Sequence, residues 1–312
     1  MSLTSFLKDP EVLARLAPLR PALPRKLAVP LLVEPRTRRW TLVGTAFDYL
    51  LRFEVQRRAD RVAGRHWVAE LAPEMLREAA AGELDLEVVT DGPPVFLPPP
   101  GGFKRAAGRV QKTLDEARFA VADYVIAEAP PAGSLPALAA HALRLARLDL
   151  VLRAGIFDTR FAEAAPADVE DLLAMLALVP FETLLPERHG RVILNPVFGE
   201  ASDVVGGADA DVIVGDLLVD IKTSKEPRVR TEHLDQLLGY LFLARRAHRQ
   251  ERRFPRVRRL GLYFARRAHL CVLDAAEWTG HPRFRETEGW FFQRAEEVFG
   301  GAELVVEDKP KA

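Results

Sequence analysis

Four aspartates and two lysines crowd one stretch of the chain, "ADADVIVGDLLVDIKTSK", residues 208–225. Gly215-Asp216, between two apolar runs, signals a two-residue hairpin loop whose first glycine is free to take positive φ. Counting outward sets Val214 against Leu217, Ile213 against Leu218, Val212 against Val219, Asp211 against Asp220 and Asp209 against Lys222. Side chains alternate with period two, so Asp209, Asp211, Asp220 and Lys222 share one face of the ribbon. Opposed like charges destabilise a ladder, and a fold gains nothing from facing Asp211 with Asp220 unless a positive charge lies between them. A divalent cation supplies it: Mg²⁺ or Mn²⁺ takes carboxylate oxygens, backbone carbonyls such as that of Ile221, and water. The neighbouring lysine can then polarise a bound water or stabilise charge growing on a phosphate. The competing reading is a solvated hairpin with a merely charged outer face. Against it stand the aspartates paired across the turn and the polar tail Thr223-Ser224-Lys225, which ends the strand with donors near the site.

Such a hairpin needs a sheet and helices to hold it. From Arg191 onward apolar alternation marks strands in "RVILNPVFG", "ADVIVGDLLVDIKTS" and "RLGLYFARRAHLCVLD", the last a second hairpin turning near Arg266 and Arg267, with the helix "EHLDQLLGYLFLARRAH" between them. Upstream, "TLVGTAFDYLLRFEVQRRADR" reads as a helix entered through Gly44 and Thr45, with Phe47, Leu50 and Leu51 on its apolar stripe. Residues 1–39 form a Pro- and Arg-rich arm around one short strand, "LAVPLLVE", residues 27–34. Residues 61–190 read as mostly helical, with helices near 105–129, 133–154 and 166–178 after the rigid linker "DGPPVFLPPPGG". The expected class is α/β, divided into residues 1–60, an arm and first helix; 61–190, a large helical insertion; and 191–312, the sheet and its helix.

Composition narrows the function classes. With 312 residues and 48% hydrophobic content the chain can bury a sizeable core. Lys plus Arg and Asp plus Glu balance at 44 each, so net charge announces neither nucleic acid nor membrane. A single cysteine, Cys271, excludes a disulfide framework and a multi-cysteine zinc site. With no apolar stretch of signal-peptide or membrane-spanning length, the expectation is a soluble, cytoplasmic protein with no membrane partner.

Taken in order, Asp211, then Asp220-Ile221-Lys222, then Gln236 and Tyr240 in "QLLGY" resemble the PD-(D/E)xK nuclease superfamily, in its RecB-like branch with a Q-x-x-x-Y motif. "GTAFDYLLRFE" is similar to that branch's first motif, with Asp48 at the position of the family's histidine and Glu54 later than its glutamate. The resemblance covers this helix and roughly residues 200–275. It implies a restriction-endonuclease-like core, a mixed central sheet flanked by helices, and Mg²⁺- or Mn²⁺-dependent hydrolysis of phosphodiester bonds that leaves a 5′-phosphate. Asp211, Asp220, the Ile221 carbonyl and Glu54 would hold the metal, Lys222 would orient the attacking water, and Gln236 and Tyr240 would shape the site and touch the nucleic-acid backbone. DNA is favoured over RNA on this resemblance alone, with DNA repair and antiviral defence as natural settings. Glu54 has an equal alternative as an Arg-paired glutamate, with Arg57 or Arg58 one turn on.

Ten arginines fall between residues 245 and 267. Guanidinium forks match phosphate oxygens, so Arg245 and Arg249, with Thr223 and Ser224, are candidates for gripping a nucleic-acid backbone; a solvated helix end paired with acids is the alternative. The functional alternative to an enzyme is a catalytically inactive nuclease-fold subunit that binds nucleic acid or a protein partner in a larger repair or defence complex.

Overall fold

Helically periodic segments bracket a short run of alternating strands, and the chain layers accordingly. The structure, a computed structural model, describes residues 2–22, 26–64, 66–89, 100–186, 190–226 and 228–300. Its helices are α1 (Leu3–Phe6), α2 (Pro10–Leu16), α3 (Trp40–Arg58), α4 (Ala72–Ala81), α5 (Pro100–Ile126), α6 (Ser134–Ala154), α7 (Pro166–Leu176), α8 (Phe181–Leu184), α9 (Glu200–Asp203), α10 (Thr231–Gln250), α11 (Ala276–Thr279) and α12 (Phe284–Phe299). The strands are β1 (Val62–Ala63), β2 (Glu87–Val89), β3 (Ile156–Asp158), β4 (Val192–Leu194), β5 (Val212–Val214), β6 (Leu217–Lys222), β7 (Arg259–Phe264) and β8 (His269–Asp274). Six strands form one mixed sheet in the order β1-β4-β5-β6-β7-β8, and β2 pairs with β3 separately. Two of the sheet's pairings are parallel, β1 with β4 and β6 with β7, and α10 is the crossover between β6 and β7.

The hairpin forms in the expected register, with Val214 opposite Leu217, Ile213 opposite Leu218 and Val212 opposite Val219. Gly215 takes φ of 60° and closes its loop, a conformation that costs glycine little. Alternation then sorts the two faces. Val212, Val214, Leu217 and Val219 join a core with α3, α4, α5, α6 and α7, whereas Ile213 and Leu218 join a second core with α10, α12 and the N-terminal helices. The molecule is a mixed α/β fold with helices on both faces of the sheet.

Residues 61–190 thus share one apolar core with α3 and a sheet face, and contribute β1 to the main sheet. The strand expected over residues 27–34 does not form. Pro30 lacks a donor, and the N–H groups of Leu32 and Val33 donate to the Arg266 carbonyl (2.9 and 3.2 Å) instead of to a ladder. The helix expected to begin at Gly44 begins at Trp40, which places Gly44 inside it. Most of the expected Pro-rich linker, residues 91–99, lies outside the described residues. Among the described residues no helix is long and apolar enough to cross a membrane.

Candidate active site

The β5–β6 ladder stops at Val212 and Val219, one pair short of the aspartates. Beyond it the strands part. The Asp211 carbonyl accepts from Asn195 N–H (3.0 Å), on the β4 side, and Asp220 continues in register with Leu262 of β7. A side chain spans the gap: Ile221 N–H donates to Asp211 Oδ2 at 2.5 Å, so the carboxylate replaces a lost backbone acceptor. Helix α3 passes close to this opening. A Cβ on Gly44 would lie 3.0 Å from Thr223 Oγ1, so glycine lets the helix approach the end of β6. One turn later Asp48 reaches the same cavity of about 310 Å³, which Asp209, Asp211, Asp220, Lys222, Gln236 and Tyr240 also line.

Helix α10 is held by Leu237, Leu238 and Leu241, all at most 1% exposed, and this burial turns Gln236 and Tyr240 toward the hairpin. Lys222 Nζ lies 2.5 Å from Asp220 Oδ2 and donates to Gln236 Oε1 (3.0 Å). Gln236 Nε2 donates to Tyr240 Oη (2.9 Å), whose hydroxyl donates to the Asp209 carbonyl (2.8 Å). This relay fixes the amide's orientation and holds the lysine over the acids. Burial, reinforced by Asp220, Asp211 and Asp209, pushes the Tyr240 phenol well up, so it remains a neutral donor.

Negative charge is crowded here. Burial, then the charges of Asp48 and Asp220, pushes Asp211 well above the ordinary carboxylate value, against the pull of Ile221 N–H and Lys222. Burial raises Asp48 as well, against Arg52. Asp48 Oδ2 is bonded to Arg52, but its Oδ1 is buried without a hydrogen-bond partner. A buried, unpartnered carboxylate oxygen beside a second carboxyl whose charge is disfavoured by burial and by acidic neighbours is a donor set that fits a hard cation. The acids do not form a closed shell: among the described residues no three Asp, Glu, His or Cys side chains stand grouped as metal ligands.

Other expectations separate from the site. Glu54 is not at the cavity: on α3 it points away from Asp48, buried at 3% exposure, where it accepts from Arg58 Nε (2.8 Å) and from the Tyr124 hydroxyl. The arginine-paired alternative therefore describes it, and Asp48 is the acid of α3 that reaches the hairpin. Asp209 does not face Lys222; it turns to Arg153 of α6, whose Nη2 donates to Oδ2 at 2.6 Å. Arg245 and Arg249 are also elsewhere. They share Glu288 of α12 (3.0 and 3.2 Å), and Arg249 is about 20 Å along α10 from Gln236 at 1.5 Å rise per residue. Thr223 and Ser224 do stand at the cleft, Thr223 lining this cavity and both lining its neighbour. Arg153 carried no sequence signal, because its helix is far from the hairpin in the chain. Asp48 had one, its place in "GTAFD" one turn after Gly44. Comparison with protein-family models, with curated proteins and with solved structures finds no match for this chain.

Proposed function

We propose that the protein is a metal-dependent nuclease of the PD-(D/E)xK type, RecB-like branch, with a restriction-endonuclease-like core, hydrolysing phosphodiester bonds of DNA. The observation that carries this reading is the relay from Asp220 and Lys222 through Gln236 and Tyr240 to Asp209, set in one cavity with Asp48 and Asp211. Asp48, Asp211 and Asp220, with the Ile221 carbonyl, would hold Mg²⁺ or Mn²⁺, which when bound supplies Lewis acidity toward a phosphate oxygen and a more acidic water. Lys222, oriented by Gln236, donates to the attacking water or to a non-bridging phosphate oxygen and so stabilises charge that grows in the transition state. Tyr240 keeps Gln236 in the flip state that presents Oε1 to the ammonium and Nε2 to the phenol. Thr223 and Ser224 offer hydroxyls to the phosphates that flank the reacting one.

The test is cleavage of end-labelled DNA, single- and double-stranded, linear and circular, with Mg²⁺ or Mn²⁺. Wild type should cut and Lys222→Ala should lose about 10²–10⁴-fold in rate, the range of one positioned proton-transfer or charge-stabilising group. Absence of cleavage by wild type with DNA still bound would replace this reading by the inactive-subunit one, which the open arrangement of the acids favours.

A further inference from the structure

The cavity holding the acids continues outward. It shares Gly44, Thr45, Ile221, Lys222 and Thr223 with a larger cavity of about 620 Å³, whose far end is formed by Trp40, Ser224, Lys225 and Arg230. Trp40 is 49% exposed, an aromatic face left in water at the start of a long, buried helix. Lys225 is exposed and has no ion-pair partner among the described residues, and Arg38, close by on the other side of Trp40, is likewise unpaired, while Arg230 is shared with Glu226 at 2.7 Å. The dense arginine run stands apart from both cavities: none of its residues lines either one, and Arg245, Arg246, Arg249 and Arg259 are occupied by Glu288, Glu296 and Asp216.

A duplex buries its base faces in its own stack and presents phosphates over a broad surface, which needs an extended basic field. A single strand has free base faces and one line of phosphates, and is bound by aromatic platforms with a few cations beside them. One exposed indole, two unpaired cations and a hydroxyl-lined floor leading to the acids fit the second description. We propose that the joined cavities form a channel for one DNA strand, with a base stacked on Trp40, a phosphate beside Lys225, and the strand passing Thr223 toward Asp211 and Lys222, while Arg38, which lines the adjoining cavity with Trp40, meets a phosphate outside the channel's mouth. This rests on the nuclease reading for the chemistry at the channel's inner end; the binding surface stands apart from it.

The experiment measures binding without cleavage. A labelled oligothymidylate and a duplex of the same length are titrated by anisotropy, first in EDTA and then with Ca²⁺, while intrinsic tryptophan fluorescence is recorded. Single strand should bind at least about tenfold tighter than duplex and quench tryptophan emission; Trp67 and Trp278 are buried, and Trp290, half-buried beneath Arg15, lines neither cavity, so these three should not respond. Trp40→Ala should weaken single-strand binding about tenfold, within the range for one stacked base. Trp40→Phe should keep most of the affinity but lose the quench, and thermal unfolding of both variants checks that they fold. Equal affinity for duplex, unchanged binding by Trp40→Ala, or no single-strand binding under either condition overturns the channel. Cleavage with Mg²⁺ is scored separately: stacking without cleavage removes the nuclease reading and leaves the channel, whereas cleavage with an indifferent Trp40 does the reverse.

Discussion

Asp48 and Glu54 sit on the same helix less than two turns apart and have unrelated surroundings. Asp48 faces the parted hairpin; Glu54 faces α5 and is satisfied by Arg58 and Tyr124. On the nuclease reading, Asp48→Asn should therefore abolish cleavage; Asn keeps an acceptor for Arg52 but removes its countercharge, so some stability is lost as well. Glu54→Ala should lower unfolding free energy by about 1–3 kcal/mol, the cost of stranding buried partners, and leave kcat within a few-fold. Denaturant titration and a cleavage assay on both variants check the pair; cleavage lost in Glu54→Ala at unchanged stability would reverse the assignment. The hairpin acids, the lysine and the Gln-Tyr pair were legible because period two and the helical i,i+4 spacing are local rules. Which acid of α3 reaches the site was not, because both lie close to the apolar stripe and only the tertiary position of Tyr124 and Arg58 separates them.

At the scale of elements, the β7–β8 turn shows why a basic run is a poor guide. Arg266, one of the ten arginines of that run, is 2% exposed. Its Nη1 and Nη2 donate to both oxygens of Asp171 on α7 (2.7 and 2.8 Å), and its Nε donates to the Thr223 carbonyl (2.7 Å). One guanidinium thus ties the helical layer to the residue after Lys222. Removing one partner of a buried pair leaves an uncompensated charge, so Arg266→Met should cost about 3–5 kcal/mol in denaturant unfolding. The double variant Arg266→Met with Asp171→Leu should recover much of that loss, and no recovery would mean that the bond to Thr223 dominates. The helix positions over residues 134–154 and 166–176 match their sequence pattern closely, because caps and periodicity mark them. β1 and the β2–β3 pair were not legible: strands of two or three residues carry too few alternations to register.

Across the whole molecule, α3 and α6 meet through a buried polar set beneath the site. Tyr49 donates to Asp149 Oδ1 (2.6 Å), and Arg153 Nε lies 3.5 Å from Asp149 Oδ2 while its Nη2 holds Asp209. Burial pushes Asp149 up to about 6, against the pull of Tyr49 and Arg153. A carboxyl raised on folding favours the fold while protonated and loses that contribution as pH climbs from its unfolded value near 4 through about 6. Asp149→Asn, which cannot ionise, should gain on wild type across this window, with the gap in unfolding free energy widening from pH 4 to pH 7 and approaching about 3 kcal/mol by linkage. A gap independent of pH would show that Asp149 is already ionised in the native state below this range.

Asp48 is made before the helical region, whereas Asp211, Lys222 and Gln236 follow only after all of it. At about 5–20 residues per second the ribosome separates them by many seconds. Arg266, which anchors the end of the lysine strand, emerges later still. A stalled chain that ends before this point lacks the assembled acids, so the cavity that Asp48 lines cannot form until the strand leading to Arg266 has been made.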